Sequence, residues 1–223
     1  EAAYGIDFVQ TNLSTTNPSL NDWINYRNSN ESMIKSYGLS VNGGILLNNF
    51  SVATGVNTYS YQSEADYAFK SYTSDTTMEY IYDTFMIIID SFAIITIDSF
   101  EQTFSGTNKI SYVEFPLLIG YQFHTGKWLF GLQTGPAFAL TNSVAVTYPN
   151  DSLSGTEDIS LNYFKQSNFN WIAKPSIQYM LTDQIGLGLN GLMRWNLGSV
   201  NSDETIDQQF TGYGVQLGLR IEF

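Results

Sequence analysis

The chain has no cysteine and a single histidine. Without cysteine in this sequence, no disulfide framework, lipid-modified cysteine or thiolate metal ligand is expected. Bases are scarce too: nine Lys and Arg face 21 Asp and Glu, with a pI near 4.2. That balance argues against a nucleic-acid partner, which needs a basic footprint. Charged residues of both signs make up only 13% of the chain, low for a water-facing surface. No run of about 18 apolar residues exists to cross a membrane as a helix. No D-x-D-x-D-G loop or other metal motif is found, and no cofactor is expected. The chain starts at Glu1 rather than Met, so a secretion signal or longer N-terminal region is expected to have been removed.

What is present is alternation. The last eleven positions place Tyr213, Val215, Leu217, Leu219, Ile221 and Phe223 on one strand face, with Gly214, Gln216, Gly218, Arg220 and Glu222 on the other. A mean hydropathy of -0.11 hides such a face, because every second residue dilutes it. Eight strand-like segments can be counted: Ala2 to Gln10, Lys35 to Leu47, Phe50 to Tyr61, Ile110 to Phe123, Trp128 to Thr141, Asn168 to Leu181, Ile185 to Leu197 and Thr211 to Phe223. Tight turns at Asn48-Asn49, His124 to Lys127 and Thr182 to Gln184 alternate with long polar stretches. Those stretches are Thr11 to Ile34, Gln62 to Lys109, Asn142 to Ser167 and Gly198 to Phe210.

The apolar faces carry no charge, and aromatics collect toward their ends, where interfacial girdles belong. The opposite faces are Gly, Ala, Ser, Asn and Gln with a few charges, which suits a narrow lumen better than a surface in water. The pattern predicts one all-β domain over residues 1–223: an eight-stranded antiparallel up-and-down transmembrane β-barrel with short periplasmic turns and long extracellular loops. It belongs in the outer membrane of a Gram-negative bacterium, termini periplasmic, with lipid and lipopolysaccharide as its surroundings.

Asp7, Glu114, Lys174, Arg194, Arg220 and Glu222 fall on the lumen side. A lone buried charge costs several kcal/mol, so they are expected to pair as an ion-pair plug rather than line a gated channel.

The stretch Tyr112-Val113-Glu114-Phe115-Pro116-Leu117-Leu118-Ile119-Gly120-Tyr121 resembles a Y-x-E-x-P-L-L strand of small outer-membrane barrels of Bacteroidota, a porin-family, PorT-like group. Gly131 to Pro136, Ser51 to Val56 and the closing Leu217 to Phe223 are similar to the same family. The resemblance implies that the closing strand, with Tyr213 and Phe223, is read by the barrel-assembly machinery. It also implies membership of a group that includes accessory parts of envelope machines such as type IX secretion. It supplies no catalytic residues.

Barrel enzymes such as omptins, phospholipase A, lipid A deacylase and lipid A palmitoyltransferase would require a catalytic His near the outer rim or facing lipid. His124, the only histidine, falls in a short turn, and no enzyme is expected. The long loops hold most of the acids, among them Glu64, Asp66, Asp75, Glu79, Asp83, Asp90, Asp98, Asp151, Glu157, Asp158, Asp203, Glu204 and Asp207. They read as a solvated rim, with weak divalent-cation binding the sharper alternative.

The oddest loop is Gln62 to Lys109. In it Asp83-Thr84-Phe85, Asp90-Ser91-Phe92 and Asp98-Ser99-Phe100 recur around two apolar runs. Phe85, Met86, Ile87, Ile88, Ile89, Phe92, Ile94, Ile95, Ile97 and Phe100 are too apolar for a floppy loop. The segment is expected either to form a hairpin that extends the third and fourth strands beyond the membrane, punctuated by Asp-Ser turns and packed on neighbouring loops, or to cover another outer-membrane or surface protein. The composite expectation is a structural or interaction barrel. A small passive pore and a lipid-modifying enzyme are the alternatives.

Overall fold

Strand formation follows the alternation. The computed structural model describes residues 1–33, 35–82, 84–86 and 88–223. Its strands are β1 (Ala2–Thr15), β2 (Glu31–Met33), β3 (Lys35–Leu47), β4 (Phe50–Tyr82), β5 (Ile88–Thr125), β6 (Trp128–Pro149), β7 (Thr156–Ile159), β8 (Ser167–Met180), β9 (Ile185–Asn196) and β10 (Ile206–Ile221). One α-helix, α1 (Asn21–Asn30), lies between β1 and β2.

Eight of these strands form a ring in the order β1-β3-β4-β5-β6-β8-β9-β10, each antiparallel to its neighbours. β10 returns to β1 along the whole length from Ala2 opposite Leu219 to Thr15 opposite Ile206. Closure satisfies the backbone of every wall strand and leaves no edge in the wall. β2 and β7 are short additions, on β4 and β6 respectively.

Outward side chains of the wall are large, apolar and exposed: Tyr4, Ile6 and Phe8 on β1, Leu117 and Ile119 on β5, Leu187 and Leu189 on β9, Val215, Leu217 and Leu219 on β10. A continuous belt of this kind is tolerated only against lipid, so the ring is a transmembrane barrel. At one end the turns are tight. Leu47 pairs with Phe50 around Asn48, whose φ is 57°, and Thr125 pairs with Trp128 around Gly126, whose φ is 61°. Positive φ there matches the turn twist that joins adjacent strands, and Asn and Gly are the residues that adopt it cheaply. His124 is thus the penultimate residue of β5, opposite Leu129, and not part of the turn.

At the other end the strands run past the segments expected of them. β1 continues to Thr15, β6 to Pro149, and β10 begins at Ile206. The alternation persists, but its chemistry inverts on leaving the bilayer. On β1 the outward series changes from Tyr4, Ile6, Phe8 to Gln10, Asn12, Ser14, while the inward series changes from Gly5, Asp7 to Val9 and Leu13. Beyond the membrane the barrel is an ordinary soluble one, polar outside with an apolar core. That core contains Val9, Tyr59, Tyr61, Ile110, Tyr112, Val146, Tyr148 and Phe210, closed from above by Trp23 and Ile24 of α1.

Gln62 to Lys109 takes the hairpin alternative, extending the two flanking strands, but without the Asp-Ser turns expected in it. β4 and β5 continue through it as one hairpin, from Gln62 opposite Lys109 to Ile81 opposite Asp90, with a register shift only between Ile81 and Tyr82. Asp90-Ser91 and Asp98-Ser99 sit within β5, opposite Ile81-Tyr80 and Thr73-Tyr72, so they are strand residues and not turns. Asp83 and Ile87 fall outside the described residues, and Ile89 is placed by its backbone alone.

Candidate functional site

The lumen is built in three storeys. The lowest is a cup of about 690 Å³ open at the tight-turn end, lined by Ser51, Gln122, Gln133, Arg220 and Glu222 among others. Arg220 and Glu222 form a partly buried ion pair 2.7 Å apart on its wall, and Arg220 also donates to Gln122 at 2.8 Å. They belong to this open cup and not to the packed interior above it. Lys174 lies deeper. Its Nζ is 2.7 Å from the carboxylate of Glu1, which also accepts from Asn190 at 2.9 Å. Glu1 is a lumen acid that the alternation did not include, because it precedes the first strand.

The middle storey seals the bore. Arg194 from β9 reaches Glu114 on β5 at 3.1 Å and Asp7 on β1 at 3.2 Å, bridging carboxylates from two other strands. All three are at most 2% exposed. Glu114 also accepts from Asn170 at 2.7 Å and Asn57 at 3.1 Å, and the guanidinium lies 3.8 Å from the centre of the Tyr59 ring. Space for this comes from glycine opposite Asp7. A Cβ on Gly214 would overlap Asp7 Oδ1, so any larger residue there must displace the carboxylate. Charge pairing, amide hydrogen bonds and ring stacking together offset the desolvation of three charges.

The upper storey is aromatic and carries a second buried arginine. Arg27 of α1 is 1% exposed and grips Glu31 through both Nε and Nη2, the latter at 3.0 Å. Its guanidinium lies 3.4 Å from the Tyr148 ring centre and 4.8 Å from that of Trp23. Burial alone would lower the Arg27 pKa, but Tyr148 and Glu31 outweigh it and hold the group above its ordinary value. Burial, followed by the Glu31 carboxylate, pushes the Tyr67 hydroxyl up; that hydroxyl donates to Glu31 at 2.6 Å. The sequence signal for α1 is faint: Trp23, Ile24 and Arg27 at one-face spacing, with no side-chain cap at its start.

α1 also roots the hairpin. The Tyr26 hydroxyl donates to the Ala68 carbonyl and accepts from its N–H, both at 2.8 Å, so it caps the edge of β4. Tyr26 stacks on Tyr67 and packs on Phe69, and Tyr67 stacks on Phe104. Past this root every described side chain from Lys70 to Gln102 is exposed, Phe85 and Met86 at 84% and 82%. From Thr58, where outward residues turn polar, β4 contributes about 80 Å of strand at ~3.3 Å per residue. Neither β4 beyond Lys70 nor β5 before Lys109 has a further strand neighbour among the described residues. Met86, Ile88, Phe92, Ile94, Ile95, Ile97 and Phe100 thus stand exposed on the ribbon rather than packed on neighbouring loops among the described residues, and Phe85 is exposed near its tip. Tyr213 faces outward in the lipid belt, and Phe223 is exposed past the end of β10.

The rim has its own acid-sensitive element. Asp203 accepts from the Thr205 N–H and hydroxyl, both at 2.8 Å, in the turn that leads into β10. The backbone donor first, then the hydroxyl, holds this carboxyl below the usual aspartate value. A depressed folded pKa stabilises the turn above the unfolded value and is lost as pH falls through the lowered one. We expect the amide protection factor of Thr205 to drop at acid pH, and Asp203→Asn to remove that dependence.

No protein-family model matches the chain, and no curated protein matches its sequence. Among solved structures it is similar to neisserial surface protein A, at 12% identity and a TM-score of 0.43 over all of this chain and 97% of that one. It is similar to the outer membrane protein OprG of Pseudomonas aeruginosa, at 8% identity and a TM-score of 0.48 over all of this chain and 94% of that one. It is also similar to Ail, the attachment invasion locus protein of Yersinia pestis, at 9% identity and a TM-score of 0.34 over 99% of this chain and 97% of that one. The barrel assignment stands on the strand ring and its apolar belt.

Proposed function

We propose that this is a non-enzymatic outer-membrane barrel that engages another outer-membrane or surface protein through its extracellular hairpin. The supporting observation is the ribbon itself. It is continuous with the barrel wall, anchored at its base by α1, and lined with exposed Ile, Phe, Met and Tyr. A two-stranded ribbon is marginal alone, and an unpaired edge is a template for another chain. Membership of the small Bacteroidota barrels fits the Tyr112 to Tyr121 strand and the closing Leu217 to Phe223. In this reading the periplasmic barrel-assembly machinery recognises Tyr213 and Phe223, and the acidic rim faces outward.

A solute path through the bore would have to pass both the Arg194 network and the aromatic storey, which favours a binding role over conduction. The test removes residues 71–100 and joins Lys70 to Glu101 through an Asn-Gly turn, since those two already face each other. Heat-modifiable migration should stay intact, showing a folded barrel, while proteins that co-purify after gentle detergent extraction are lost. Unchanged co-purification contradicts the proposal.

A further inference from the structure

The hairpin's faces differ, and the register shows how. Opposed residues of an antiparallel pair share a face. One face carries Tyr72, Met78, Tyr80 and Tyr82 of β4 with Ile95 and Ile97 of β5, and no charge above the Lys70–Glu101 pair. The other carries Asp75 and Glu79 of β4 with Asp90 and Asp98 of β5. From Ser71 to Asn108 the sequence has six acids, Asp75, Glu79, Asp83, Asp90, Asp98 and Glu101, and no Lys, Arg or His.

The four carboxylates fall at defined levels. Going outward, Asp98 is opposite Thr73, Asp75 opposite Thr96, Ile94 opposite Thr77, Glu79 opposite Phe92 and Asp90 opposite Ile81. Asp75 and Asp98 are therefore diagonal neighbours, as are Glu79 and Asp90, at roughly 7–8 Å. The two couples are separated by one level centred on Ile94, which is 39% exposed. Like charges at diagonal positions with no base to compensate weaken a free ribbon. A cationic occupant would remove that repulsion while burying Ile94, Phe92 and Phe100.

We propose, on the partner-binding reading above, that this carboxylate face docks an extended basic polypeptide segment of another protein. Two other occupants fit less well. An anionic outer leaflet repels a ribbon of this charge. A second copy would bring acid onto acid, and pairing through the uncharged face buries only roughly 700 Å² in total, short of the ~1,200 Å² of a stable interface. An extended segment shows every second side chain to the ribbon. It must then read basic, basic, apolar, basic, basic at alternate positions, a pattern identical in both chain directions.

The probe is a labelled synthetic peptide with Lys at positions 1, 3, 7 and 9, Ile at 5 and Ser elsewhere. An isomer of the same composition with its lysines consecutive serves as control. Binding to the whole protein in zwitterionic detergent is read by fluorescence anisotropy. The alternating peptide should bind at least about ten-fold more tightly than the isomer, and binding should weaken with salt. The variant D75N/E79Q/D90N/D98N should lose that preference, whereas Y72S/Y80S on the opposite face should keep it. Equal binding of both peptides, or unchanged binding by the four-site variant, overturns the inference. Co-purification separates the two readings. A native partner lost with residues 71–100 but retained by the four-site variant refutes the carboxylate face and leaves hairpin binding standing. A partner retained in both refutes hairpin binding itself.

Discussion

Replacing Arg194 with alanine is expected to destabilise the barrel by about 3–5 kcal/mol, the usual cost of stranding a buried charge partner. The substitution leaves Asp7 and Glu114 in the middle of the bore without their cation, and both are at most 1% exposed. Asn57 and Asn170 still donate to Glu114, but Asp7 loses the guanidinium that donates to its carboxylate. The cost is mostly unpaired burial, so removing all three charges together should restore most of the loss. Asp7→Asn, Glu114→Gln and Arg194→Met combined should unfold close to the parent in urea, followed by tryptophan fluorescence and heat-modifiable migration. An Arg194→Ala barrel with the parent's urea midpoint would show that the network contributes nothing.

Arg27→Ala should cost about 3 kcal/mol, and the loss should be local to the half of the barrel that projects beyond the membrane. Arg27 ties α1 to Glu31 and stacks on Tyr148, so its removal frees the helix and uncaps the aromatic storey. The Arg194 layer is untouched, and the membrane-embedded ring should stay heat-modifiable. Limited proteolysis should then cut the Asn21–Asn30 segment at concentrations that leave the parent whole. Arg27→Lys keeps the charge but loses the two-pronged grip and the planar stack, and should recover less than half of the protection. Resistance of the alanine variant equal to the parent's would mean that α1 is held by Trp23 and Ile24 alone.

The membrane half of this molecule was legible because lipid imposes one rule on every strand. Tyr4, Ile6 and Phe8, or Leu187 and Leu189, declare their face without reference to neighbours. Outside the bilayer the rule reverses, so Gln10, Asn12 and Ser14 read as loop when sought by the membrane pattern. Tyr59, Tyr61, Ala65, Tyr67 and Phe69 keep strict alternation on β4, now pointing inward, and that was the signal available for the longer strands. α1 was hidden because NDWINYRNSN is rich in turn-forming Asn and Ser and has almost no helical amphipathicity. Tertiary contacts of Trp23, Ile24 and Arg27 hold it.

In the bore, Asp7, Glu114 and Arg194 could each be assigned inward from their own strand, but not matched. They come from β1, β5 and β9, and only ring closure brings them together. The Glu1–Lys174 pair has the same origin. On the hairpin, Asp-Ser dipeptides favour turns locally, and the cross-strand ladder overrode that preference.

β4 and β5 pass from the bilayer to near the tip of the ribbon without slipping register. Tension applied at the tip therefore runs along two covalent chains into the wall, where each strand is clasped on both sides. Pulling cannot unzip the ribbon from its root one bond at a time. It must shear whole ladders, loaded in parallel, against β3 and β6. A load on the tip is thus borne by the barrel wall as a whole, without unravelling the ribbon's anchor.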